Sequence, residues 1–264
     1  MTFDPGRVRL SLQIEDDRVG TAAVTCERPA LARLLHGQPA GQAVALVPLI
    51  YSLCGKAQSI AARAALTAAR GNALQTYVDV AALDEAAREH AWKIFVDWPR
   101  QLGLAPDEAF FVQLMRAPSS ERADLARSLV AHRLPAALAG VLGDTDIDRL
   151  LRERMAARAA ALADWLMGRP QVLGTVVAIS PSAGVGVATV ATARGMLTHR
   201  LTLNGDEVAG YDITAPTDAH FAARGDVASW LEQLRGMTKA TAVKQASRLV
   251  MAFDPCVPWC CELS

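Results

Sequence analysis

"AFDPCVPWCCELS" (252–264) closes the chain and carries three of its five cysteines; the others are Cys26 and Cys54. Pro255 stops a preceding helix and Pro258 stiffens the next turn, so Cys256 between them has a restricted backbone. Cys260 or Cys261 is then able to point back toward it. A disulfide staple, a metal ligand set and an accident of composition are all open readings of such a cluster. An odd number of cysteines in 264 residues argues against a disulfide framework. In a reducing compartment, clustered free thiols more often belong to metal or catalytic sites, although a buried cysteine is also simply a small hydrophobe.

Composition narrows what such a site serves. The chain has a mass of 28.1 kDa, zero formal net charge and a pI near 7.0. It is long enough to bury a core, and it lacks the basic footprint of a nucleic-acid partner. The longest apolar stretch, "AGQAVALVPLIYSLCG" (40–55), is broken by Pro48 and falls short of a membrane span. The opening "MTFDPGRVRLSLQIEDD" (1–17) has no apolar signal-peptide core. A cytoplasmic protein with no membrane insertion is expected.

Working back from the tail, the hydrophobic period changes three times. "VRLSLQI" (8–14) alternates, with Val8, Leu10, Leu12 and Ile14 on one face, and "DDRVGTAAV" (16–24) reads as its returning strand. From about Pro29 the pattern is helical and alanine-rich. "LDEAAREHAWKIFVDW" (83–98) puts Leu83, Ala87, His90, Ala91, Ile94, Phe95 and Trp98 on one side, with Pro99 kinking or ending it. A helix capped by Ser119 or Ser120 follows, then a longer one capped by Asp144 or Asp146 and stopped by Gly168. His90 and His132 read as partly buried, satisfied helix residues.

Beyond Pro170 the chain is rich in glycine and β-branched residues, with a hairpin predicted at Asn204-Gly205. "SAGVGVATV" (182–190) lacks the Lys-Ser/Thr of a phosphate loop and reads as a turn between strands. Two helices, around 226–236 and 238–253, lead into the cysteine tail. The expectation is one α+β domain over 1–264, predominantly a helical bundle with small β-sheets and hairpins. Its parts are N-terminal strands (1–28), a helical bundle (29–168), a β-rich segment (169–216) and C-terminal helices with the tail (217–264).

Cys54, in "SLCGKAQ" (52–58), sits where an apolar segment breaks and an alanine-rich helix begins. The helix N-terminus favours its thiolate, the form that binds iron(II). Alone, such a cysteine is more often structural, just as Arg194 beside a glycine or Thr217 after a proline is usually an ordinary surface or turn residue. Cys26 reads as a small strand residue or an exposed thiol.

Together these segments resemble a family. "SLCGKAQ", "TARGMLTH" (192–199), "YDITAPTDAHF" (211–221) and "AFDPCVPWC" (252–260) stand in the order found in the large subunit of nickel–iron hydrogenases. "GRVRLSLQIEDDRV" (6–19) and "LHGQP" (35–39) are similar to that subunit's start. In that family two Cys-x-x-Cys pairs hold nickel and iron, and the iron carries two cyanides and one carbon monoxide. An arginine of an Arg-Gly motif and a Ser or Thr after proline donate hydrogen bonds to the cyanides.

The resemblance places Cys54 and Cys256 at the first position of each pair, but Ala57 and Trp259 at the second, with Cys260 and Cys261 just beyond. Arg194 matches the arginine, and Pro216-Thr217 the Pro-Ser/Thr. Ala32 falls where that subunit has an N-terminal glutamate. The histidine after the trailing pair is absent, and no extension is left for a maturation protease. Loss of the bridging sulfur at Ala57 implies that no hydrogenase activity remains.

The pattern is similar to the large-subunit-like maturation scaffolds of the HupK/HoxV type. That resemblance implies a non-catalytic carrier of the Fe(CN)2(CO) unit, without nickel. Cys54, Cys256, Cys260 and Cys261 are the candidate metal ligands, and Arg194, Pro216 and Thr217 face the cyanides. The implied partners are the general hydrogenase maturation complex, as donor, and the hydrogenase large-subunit precursor, as acceptor. Two rival readings remain open: a hydrogenase-like enzyme still binding nickel through the cysteines, and a metal-free interaction protein of the maturation machinery.

Overall fold

Alternation in the opening segment is realised as a hairpin. β1 (Arg7–Glu15) buries Val8, Leu10 and Leu12 completely and pairs antiparallel with β2 (Arg18–Glu27). The turn between them places Asp16 and Asp17 at positive φ, which a short polar side chain tolerates. The structure, a computed structural model, describes residues 5–29, 31–72 and 75–264. The extended reading of residues 1–4 lies outside the described residues.

After a 3-10 turn (Leu31–Leu35) come α1 (Ala40–Ile50), α2 (Gly55–Ala69), the short strand β3 (Tyr77–Val78) and α3 (Val80–Trp92). A π-helical turn (Lys93–Asp97) joins α3 to α4 (Trp98–Gln101). The helical region continues with α5 (Glu108–Arg116), α6 (Arg122–Ala131), α7 (Arg133–Gly140) and α8 (Asp146–Leu166). Strands β4 (Thr175–Ser182), β5 (Val185–Thr192), β6 (Gly195–Asn204) and β7 (Glu207–Thr214) form a meander. The chain ends in α9 (Pro216–His220), α10 (Asp226–Leu231), α11 (Lys239–Phe253) and β8 (Trp259–Leu263).

This is a mixed α+β fold, mostly helical, with two small sheets of order β2-β1-β8 and β3-β4-β5-β6-β7. Two apolar cores divide it. In one, the inner face of β1 and β2 packs on α3, α8, α10 and α11; in the other, α1 and α2 pack on the meander. Alanine lets α2 approach closely: a Cβ on Gly186 of β5 would stand 1.9 Å from the Ala65 carbonyl oxygen, so only glycine fits there. Among the described residues no helix is long and apolar enough to cross a membrane.

Several local expectations shift. Thr145, rather than Asp144 or Asp146, caps α8, its side chain accepting from the Asp148 amide at 3.1 Å. Asp146 instead occupies the first turn together with Asp148, where the dipole favours both. Neither Ser119 nor Ser120 caps α6, because both lie in a 3-10 turn that precedes it. Pro99 does not end its helix: the π-helical turn absorbs the register change, and the proline sits in the first turn of α4, where its missing N–H costs little. The hairpin turn is one residue later than expected. Asn204 pairs with Glu207, and Gly205 supplies the positive φ. The cysteine tail ends in a strand, β8, parallel to β1.

Candidate functional site

The end of α11 fixes the site. Asp254 adopts a left-handed conformation (φ 51°) that ends the helix, its amide still donating to the Val250 carbonyl at 2.7 Å. Such a conformation costs a non-glycine residue about 1–2 kcal/mol, so its surroundings must hold it. They do so with charge. The carboxylate is 3% exposed and meets Lys93 Nζ at 2.7 Å, Arg158 Nη1 at 3.1 Å and Arg194 Nε at 3.2 Å. Burial alone would raise its pKa; Arg194, Arg158 and Lys93 overcome that and hold it down at about 2. Lys93 reaches Asp254 from the first position of the π-helical turn, which gives that irregularity a role.

Arg194, in the turn between β5 and β6, is thereby fixed. Its Nε donates to the Asp254 carbonyl at 3.0 Å and its Nη2 to Glu89 Oε2 of α3 at 2.7 Å. It lines a cavity together with Cys54, Glu85, Glu89, Pro216, Thr217 and Cys256. The enclosed part of this cavity holds about 20 Å³, room for about one water, and the space beyond it is open to solvent. It opens between the two cores, where the start of α2, the inner side of α3, the β5–β6 turn, the start of α9 and the chain after α11 meet. Residues separated by some two hundred positions in sequence therefore share one recess.

The two thiols have different surroundings. Cys256 Sγ accepts from the buried Thr217 hydroxyl at 3.2 Å and from Arg28 Nη1 at 3.4 Å, while its amide donates to Thr217 Oγ1 at 3.0 Å. The Thr217 hydroxyl hydrogen is thus directed at a sulfur. A sulfur receiving two donors, one of them cationic, suits a ligand that carries negative charge.

Cys54 is the residue that leads into α2, but the amides of that first turn are already taken: Lys56 N and Ala57 N donate to the Glu85 carboxylate at 2.8 and 3.0 Å. Burial first, then Cys256, push the Cys54 thiol up to about 11, against partial relief from the Gln58 amide. The expected helix-terminus activation of Cys54 is therefore not found: the anion at this terminus is Glu85, and desolvation dominates. Burial also raises the Glu85 pKa, with neighbouring Glu89 adding to it.

Cys260 and Cys261 do not line this cavity. On β8 they pair with Arg9 and Leu10 of β1; Cys261 packs on the first core, and Cys260 Sγ lies 4.0 Å from Glu262 Oε1. Among the described residues no group of three or more His, Cys, Asp or Glu is arranged to hold a metal ion. His132 has both ring nitrogens engaged, with Asp107 and the Leu134 amide. His90 reaches the Ala193 carbonyl at 3.3 Å, and its other nitrogen is buried without a partner among the described residues.

Sequence reading missed four side chains here. Arg28, just past β2, contacts Cys256 and pairs with Asp218 at 3.3 Å, and Cys26 Sγ lies 4.0 Å from the same carboxylate oxygen. Burial and the Asp218 charge push the Cys26 thiol up to about 11. Glu85 and Glu89 stand one turn apart on α3 and both line the cavity. That i, i+4 pair of carboxylates beside an apolar stripe was the available signal; for Arg28 there was none.

The hydrogenase expression/formation protein HoxV of Cupriavidus necator is 24% identical, with 100% of this chain and 95% of that protein covered. HupK of Azotobacter vinelandii is 27% identical over 96% of this chain and 97% of its own length; HupK of Rhodobacter capsulatus is 27% identical over 93% and 94%. This chain is a homologue of the HupK and HoxV hydrogenase expression/formation proteins. No family model matches it. Among solved structures, [NiFeSe] hydrogenase of Desulfovibrio vulgaris Hildenborough aligns with a TM-score of 0.59 at 12% identity, covering 92% of this chain and 94% of that one. The [NiFeSe] hydrogenase of Desulfomicrobium baculatum aligns at 0.57 and 12% identity, covering 93% and 95%. The fold resembles a truncated hydrogenase large-subunit fold.

Proposed function

We propose that this hydrogenase maturation protein is a non-catalytic scaffold that carries the Fe(CN)2(CO) unit. It takes the unit from the general maturation complex and delivers it to the hydrogenase large-subunit precursor in the cytoplasm. One observation carries the reading: Cys54 and Cys256 line the same cavity as Arg194 and Thr217.

The donor set suits the cargo. Iron(II) and its two cyanides cancel in charge, so the net negative charge of the bound unit comes from the thiolates. Arg28 on Cys256 and Arg194 on the cavity wall supply matching cations. Cyanide nitrogens accept hydrogen bonds, and Arg194 presents donors that cannot be lost by deprotonation. Thr217 serves through Cys256, whose sulfur and amide it holds. Cys54 must lose its proton when iron binds, and Glu85, one of the two carboxylates lining the cavity, is the candidate to receive it.

No nickel is expected. Ala57 is 1% exposed and brings no sulfur, Trp259 is 37% exposed on β8, and Cys260 and Cys261 lie along that strand rather than in the cavity. The test is metal analysis of protein purified anaerobically from cells making the maturation machinery. Iron near one equivalent without nickel is the expected result. Stoichiometric nickel would favour the enzyme, and neither metal would favour a pure interaction protein.

A further inference from the structure

Among the motif residues quoted above, Gln58 of "SLCGKAQ", His199 of "TARGMLTH" and Tyr211 at the head of "YDITAPTDAHF" have so far had no role. They come from α2, β6 and β7, and the structure brings them into one line beneath Cys54. Gln58 and His199 are 0% exposed and Tyr211 is 7% exposed. Gln58 Nε2 lies 3.6 Å from Cys54 Sγ, Gln58 Oε1 lies 2.9 Å from His199 Nε2, and His199 Nδ1 lies 2.9 Å from the Tyr211 hydroxyl.

Chemistry fixes the direction of each bond. An amide oxygen only accepts, so His199 Nε2 carries the hydrogen. His199 Nδ1 then has only a lone pair to offer, so the Tyr211 hydroxyl donates to it. Burial agrees: it pushes the His199 pKa down to about 3 and that of Tyr211 up, which keeps the ring neutral and the phenol protonated. With its oxygen pinned by His199, the Gln58 amide turns its N–H toward the sulfur. The surrounding core of α2 and the meander buries Gln58, His199 and Tyr211.

We propose that Gln58, His199 and Tyr211 form a positioning relay that holds one N–H donor on the Cys54 sulfur. Resting on the metal-carrier reading above, this identifies the positioning residues of its Cys54 ligand. A donor on sulfur favours the charged form that binds metal and fixes the direction from which the ligand is presented. Cys256 receives its donors from Thr217 and Arg28, so the two thiols are supported by separate sets of residues.

The test needs no cargo, so its outcome is independent of whether iron binds. Peptide-resolved iodoacetamide labelling of the metal-free full-length chain at pH 9 reads the reactivity of the Cys54 sulfur, with Cys256 as an internal control. Gln58→Leu is expected to slow Cys54 labelling about tenfold by removing the donor that stabilises charge on its sulfur, and to leave Cys256 unchanged. Gln58→Glu, which puts oxygen in place of the N–H, is expected to slow it at least as much; Tyr211→Phe is expected to slow it about twofold. A Cys54 rate within twofold of the parent in folded Gln58→Leu would overturn the proposal. If that variant fails to fold, the parent protein still decides through the 15N shifts of the His199 ring: the Nε2–H tautomer is expected, and an Nδ1–H tautomer overturns the relay.

Discussion

Replacing Asp254 with asparagine tests whether buried charge, rather than shape, holds the end of α11. Asparagine tolerates the left-handed conformation as well as aspartate does, so the change isolates the carboxylate. Asp254 is 3% exposed, and its removal leaves Lys93, Arg158 and Arg194 facing only Asp97 and Glu89 among the acids that pair with this cluster. Two routes bound the cost. A pKa lowered from 3.8 to about 2 corresponds to about 2 kcal/mol of preference for the charged form. Breaking a buried ion pair by deleting one partner typically costs about 3–5 kcal/mol.

With a urea m-value of about 3 kcal/mol/M, the denaturation midpoint at pH 7 should fall by about 1 M. Acid supplies the sign. The folded pKa is depressed, so the stabilisation is fully present above pH 3.8 and is lost as pH falls toward 2. The gap between parent and Asp254→Asn should therefore narrow over that window. A midpoint shift below about 0.2 M at pH 7, or a gap that does not narrow in acid, would refute the reasoning.

Gly186→Ala drives a Cβ into the Ala65 carbonyl and should destabilise by about 1–3 kcal/mol, read as a lower urea midpoint, because α2 must lift from β5. Arg28→Gln should slow iodoacetamide labelling of Cys256 several-fold while leaving Cys54 within twofold, since Arg28 donates to Cys256; equal effects on both thiols would refute that division. Glu85→Gln removes the carboxylate from the α2 terminus and from beside Cys54, and should speed Cys54 labelling at pH 9 by a few-fold. No change there would mean that burial alone sets the Cys54 thiol.

Much of the fold could be read in the residues because local chemistry dictated it. Alternation at Val8, Leu10 and Leu12 made β1, Gly168 ended α8, and the Gly205 turn made the last hairpin within one residue of the expected place. What escaped depends on distant partners. Cys260 and Cys261 read as candidate ligands able to point back toward Cys256, yet they lie in a strand whose hydrogen bonds go to β1, some 250 positions earlier. Pro99 signals a kink or a stop, whereas the chain runs on through a π-helical turn whose Ile94, Phe95 and Val96 are buried in the core.

The candidate site divides the same way. The motif residues Cys54, Arg194, Pro216, Thr217 and Cys256 could be picked out, and they line one cavity. Their energetic supports could not. Arg28, Asp218, Lys93 and Arg158 act through contacts between elements far apart in sequence, and no local pattern marks them; only the i, i+4 spacing of Glu85 and Glu89 offered a local signal. The helix-dipole argument at Cys54 failed because it counted the field of one helix and not the glutamate that α3 delivers to it.

The measurement that bears most directly on metal carriage is the infrared spectrum of the protein isolated anaerobically from cells with an intact maturation pathway. Carbonyl and cyanide stretches are expected in the parent, lost in Cys54→Ala and in Cys256→Ala, retained in Cys260→Ala, and shifted in the cyanide region in Arg194→Lys. A parent spectrum without these bands, or bands that survive loss of both Cys54 and Cys256, would contradict the account.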